Sequence, residues 1–74
     1  MKVYLVQYRM YESAEVKQID ILARNKADAY DNATYEYIPK IENGFPFSSW
    51  VAGYRTKHGT GLVHWFNTFE GNPY

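Results

Sequence analysis

KVYLVQYRMYESAEVKQIDILAR, residues 2–24, is the stretch whose reading decides the fold. Tyr4, Val6, Tyr8 and Met10 alternate with Leu5, Gln7 and Arg9, the period-2 pattern of a half-buried strand. After Tyr11-Glu12-Ser13-Ala14 the alternation resumes, with Ile19, Ile21 and Ala23 opposed by Gln18, Asp20 and Leu22. A loop of those four residues sets Met10 opposite Glu15, Val6 opposite Ile19 and Tyr4 opposite Ile21. Even positions of the first strand and odd positions of the second then share a face, as their apolar tracks require. The stretch reads as an antiparallel hairpin with strands over about 2–11 and 15–24.

Working outward, Asn25 is a good helix N-cap, and Asp28 suits the positive end of the helix that follows. Ala27, Ala29, Tyr30, Ala33, Tyr37 and Ile38 form an apolar stripe at helical spacing, which predicts a helix over about 26–38. Pro39 is expected to stop it, and Lys40–Pro46, with Asn43-Gly44 as its turn signal, leads onward. Two further strand-like runs, about 48–56 and 62–69, flank Lys57-His58-Gly59-Thr60-Gly61, where Gly59 suits a tight type II′ turn. Pairing His58 with Gly61 places Tyr54 opposite Trp65, Trp50 opposite Phe69 and Gly53 opposite Phe66. Trp50, Ala52, Tyr54, Val63 and Trp65 are then expected under the helix, and Val51, Arg55, His64 and Phe66 on the other face. The fold class is α+β: one domain over 1–74, an antiparallel ββαββ sheet with one helix on one face. Strand order is left undetermined by the pattern.

Composition narrows the function. The chain has 74 residues and no cysteine, so neither disulfides nor a cysteine-based zinc site supports it. Eight Tyr, four Phe and two Trp supply the burial that a short chain needs. The formal net charge is zero, which argues against long-range attraction to phosphate backbones. No run of residues approaches a membrane span and no basic segment leads into an apolar one, so a cytoplasmic location is expected, with no membrane partner.

The residues that carry catalysis are sparse. Ser48 and Ser49 open a strand without nucleophile-elbow glycines, and the two histidines, His58 and His64, sit in a turn and mid-strand. Two histidines do not make a zinc site, and the carboxylates form no pair with evident asymmetry. The glycines are scattered and form no phosphate loop. No enzyme, cofactor or metal is expected.

The second, mixed track of the strands still holds Val3, Leu5, Leu22, Val51, Leu62 and Phe66, while one helix can cover only one face. The expectation is a non-catalytic protein-interaction module that uses this open face. It would dock on a protein partner or on a second copy as a homodimer. The candidate docking residues are Leu5, Arg9, Val51, Arg55, His64 and Phe66, with Phe66 as anchor and the arginines as specifiers. Small cysteine-free single domains that regulate or inhibit a host protein are common in bacteria and phages, and the chain fits that class. The alternative is a single-stranded nucleic-acid-binding sheet using its rings and basic residues.

Overall fold

The computed structural model describes residues 1–56 and 61–74. Strands β1 (Lys2–Arg9) and β2 (Lys17–Ala23) come first, and β3 (Ser48–Arg55) and β4 (Val63–Trp65) last. Between them runs one helix made of α1 (Lys26–Asn32), a π-helical segment (Ala33–Tyr37) and α2 (Ile38–Glu42). The sheet is antiparallel with the order β2-β1-β3-β4, so β1 is an inner strand and the second hairpin docks beside it. The architecture is the α+β ββαββ arrangement expected.

The first hairpin keeps its expected register, with Val6 opposite Ile19 and Tyr4 opposite Ile21. Its apolar track lies under the helix, where Tyr4, Val6, Tyr8, Ile21 and Ala23 pack with Ala29, Ala33 and Ile38. The small alanines let the helix backbone approach a sheet face already filled by rings. Asn25 caps the helix by accepting the Asp28 amide at 2.8 Å.

The helix does not stop before Pro39. Proline in a regular helix lacks one donor and crowds the carbonyl one turn back. Here the turn before it is widened, with the Ile38 amide donating to the Ala33 carbonyl. That extra room lets the chain continue to Glu42, and the helix ends at Asn43, whose φ of 59° is left-handed. The amides of Asn43 and Gly44 both donate to the Pro39 carbonyl, closing the end. Thr34, on the widened turn, shares a buried 2.6 Å hydroxyl–hydroxyl bond with Ser49 of β3.

The second hairpin departs from its expected faces at a β-bulge. Leu5 stands opposite Gly53 but Val6 opposite Val51, so Ala52 is an extra residue and the alternation of β3 changes phase. Val51 therefore lies in the core under the helix, fully buried, and Trp50 sits beside Gln7 on the other face. Tyr54 remains on the helix side, opposite Tyr4. The β3–β4 register also differs by one residue: Gly53 faces Trp65, Tyr54 faces His64 and Arg55 faces Val63. Trp65 and Val63 thus share the face away from the helix, while His64 and Phe66 join Tyr54 on the helix side. The expected turn at Gly59 lies outside the described residues.

Past Trp65 the chain is no longer strand, although it follows the edge of β3. The Phe66 amide donates to the Ala52 carbonyl at 2.8 Å, the Thr68 hydroxyl to the Val51 carbonyl at 2.5 Å, and the Val51 amide to the Pro73 carbonyl at 3.1 Å.

Candidate functional site

Over β1, the sheet face away from the helix is covered by its own polar side chains, while Trp65 of β4 stays 62% exposed on the same face. The Trp50 indole donates to Gln7 Oε1 at 3.1 Å, and Gln7 Nε2 to Gln18 Oε1 at 3.3 Å. Gln18 Nε2 donates to Asp20 at 3.3 Å, and Arg55 donates to the other Asp20 oxygen at 3.2 Å. Arg55 stands opposite Val3 and Asp20 opposite Leu5, so their ion pair crosses β1 between these apolar residues. Leu5 has no solvent exposure, and Val3 and Trp50 are also buried.

The six residues expected to share a docking patch are consequently divided. Leu5, Arg9 and Arg55 lie on this face, with Arg9 held 3.5 Å from Glu70. Val51 is core. His64 stacks on Tyr54, with centroids 4.8 Å apart and an 11° tilt, and Phe66 lies 5.5 Å from Tyr54 beside the core. Lys2 and Lys26 place their ammonium groups over the Tyr54 and Phe66 rings at 4.4 and 4.5 Å. The residues form no single patch.

One group of exposed apolar side chains lies along β2. A groove of about 270 Å³ runs between this strand and the second half of the helix, lined by Ile19, Asp20, Ile21, Leu22, Tyr37 and Ile41. Ile41 is 63% exposed, Leu22 48% and Tyr37 42%. The strand beside the groove is an edge, and its unpaired groups follow from the ladder. The Arg9 carbonyl accepts the Phe47 amide on the β3 side of β1. Alternation then turns Lys2, Tyr4, Val6 and Tyr8 toward β2, where they bond Ala23, Ile21, Ile19 and Lys17. The amides and carbonyls of Gln18, Asp20 and Leu22 point outward, and no described residue bonds to them through its backbone.

One end of the groove is fixed by a titratable group of three. The buried Tyr8 hydroxyl donates to Glu42 at 2.7 Å, and Lys17 donates to both Glu42 oxygens at 3.1 Å. Burial, then the neighbouring carboxylate, push the Tyr8 hydroxyl up to about 12. The same Tyr8 bond, with help from Lys17, holds the Glu42 carboxyl below its ordinary range. These hydrogen bonds tie α2 to β1 and β2.

Sequence reasoning missed Tyr37 and Ile41 as a pair because Pro39 was read as the end of the helix. Among the described residues no group of three or more His, Asp or Glu side chains could hold a metal, and no helix is long and apolar enough to cross a membrane. Comparison with family models, with curated proteins and with solved structures finds no match for this chain.

Proposed function

We propose that the protein is a non-catalytic interaction module that takes a protein segment as an added strand along β2. The observation that carries this reading is the coincidence of outward backbone groups at Gln18, Asp20 and Leu22 with the apolar groove beside them. Main-chain bonds on such an edge supply affinity, and side-chain pockets alongside it supply specificity. The docking surface is thus moved from the sheet face to its edge. A cytoplasmic regulator that works by occupying a protein, in the manner of small bacterial and phage inhibitors, would use such a site.

A photo-crosslinking residue at Ile41 in cells tests this. The expected result is a defined protein adduct from position 41, absent when the crosslinker replaces Tyr35, which is exposed on the same helix but does not line the groove. Leu22→Pro should abolish the adduct and keep the fold, because the Leu22 amide faces outward and proline there removes an edge donor only. Equal labelling from both positions, or labelling that survives Leu22→Pro in a folded protein, would overturn the reading.

The nucleic-acid reading keeps one supporting observation, the Tyr54–His64–Phe66 rings beside Lys2 and Lys26, which have no carboxylate partner among the described residues. It ranks second because ring faces that bases would need are already taken by those lysines. Single-stranded oligonucleotide that fails to bind at physiological salt would eliminate it; binding lost in Phe66→Ala would promote it.

A further inference from the structure

We infer that the segment received by the β2 edge is the β2 edge of a second copy, joined antiparallel about a twofold axis at Leu22; this rests on the edge-docking reading above. In an antiparallel pair, outward-bonding residues face outward-bonding residues, so Asp20 and Leu22 of one copy must meet even-numbered positions of the other. Charge separates the two registers that centre on an outward-bonding residue near the middle and the end of β2. An axis at Asp20 sets two carboxylates directly opposite each other, which is unfavourable. An axis at Leu22 instead brings Asp20 beside Arg24 of the other copy, the residue just past the end of β2, twice, with Leu22 against Leu22 between them.

The neighbouring positions agree with that register. On the helix side it places the small Ala23 of each copy beside Ile21 of the other, at the mouth of the groove. Leu22, half exposed in one chain, becomes covered. Arg24 gives up only an exposed ion pair with Asp28, since its own side chain is 76% exposed there. The zero net charge adds no repulsion between copies. Association should close at two, because the opposite edge is a β4 of 3 residues followed by a chain that itself bonds to β3.

Cysteine is absent, so single cysteine variants report the register without interference. Directly opposed residues of a bonded pair lie about 5.5 Å apart at Cα, within disulfide range. Leu22→Cys should therefore oxidise rapidly to a covalent dimer. Gln18→Cys should not, because the two Gln18 positions fall eight residues apart along the ladder, about 27 Å. Arg24→Glu and Asp20→Lys should each weaken the dimer about tenfold or more in sedimentation, and mixing the two folded variants should restore it by re-creating opposite charges at every contact. A wild type that sediments as a monomer across the micromolar to millimolar range overturns the twofold pairing. If the Ile41 crosslink to a different protein persists in that case, the edge-docking reading stands alone. A dimer that ignores both charge reversals, or that crosslinks equally from 18 and 22, also overturns the pairing.

Discussion

At the scale of single residues, Tyr8 and Gly53 carry the clearest consequences. The folded Tyr8 hydroxyl titrates near 12 against an ordinary 10.0. Below pH 10 both folded and unfolded chains keep this proton, and the contribution to stability is complete. Between pH 10 and 12 the unfolded chain releases it first, so stability should fall as pH rises. Glu42 acts at the other end: its lowered value favours the fold above the ordinary 4.5, and that gain is lost as pH falls through the folded value. Denaturant titrations across pH should show Tyr8→Phe losing about 1–2 kcal/mol at neutral pH and a flatter alkaline limb. At Gly53, an added Cβ would lie 2.6 Å from the His64 carbonyl oxygen and 3.2 Å from Trp65. Gly53→Ala should displace β4 and lower stability by about 1–3 kcal/mol, read as a drop in Tm. That a ring would cover this glycine was legible in the sequence. Which ring was not: a one-residue difference in register exchanged Phe66 for Trp65.

At the scale of elements, legibility tracked constancy of phase. In β1 and β2 the alternation never breaks, so the register could be read off two apolar tracks. In β3 the extra Ala52 reverses the faces midway, and nothing about an alanine between Val51 and Gly53 announces a bulge. The expected patch failed for two reasons: the bulge carried Val51 into the core, and the one-residue difference between β3 and β4 turned His64 and Phe66 to the helix side. The helix failed differently. Pro39 is a sound stop signal for an α-helix, but a widened turn ahead of it removes the clash, and Ile41 is thereby delivered to the β2 groove. The joint between that turn and β3 is the Thr34–Ser49 bond. Thr34→Val keeps the shape and strands a buried Ser49 hydroxyl, so it should cost about 1–3 kcal/mol. Adding Ser49→Ala should recover part of the loss, a coupling measurable by a double-mutant cycle of unfolding free energies.

At the scale of the whole molecule, strand order decides what the surface can do, and strand order was the property that the sequence pattern left open. Placing β1 between β2 and β3 brings Asp20 and Arg55 to either side of one strand and closes the face over Leu5. It also leaves β2 as the long free edge. If two copies join there, the thermal midpoint should rise with protein concentration, because dissociation accompanies unfolding. Arg24→Glu should remove that dependence, as calorimetry at several concentrations would show. The inner position of β1 has a consequence for synthesis as well. Its first neighbour, β2, leaves the ribosome directly after it, but its second, Ser48–Arg55, follows only after the whole helix. Until then the nascent chain shows a second bare edge along Val3, Leu5 and Gln7, with no polar lid above it. The interval between translating residue 9 and residue 55 is therefore when the chain is most exposed to wrong pairing with its neighbours on a polysome.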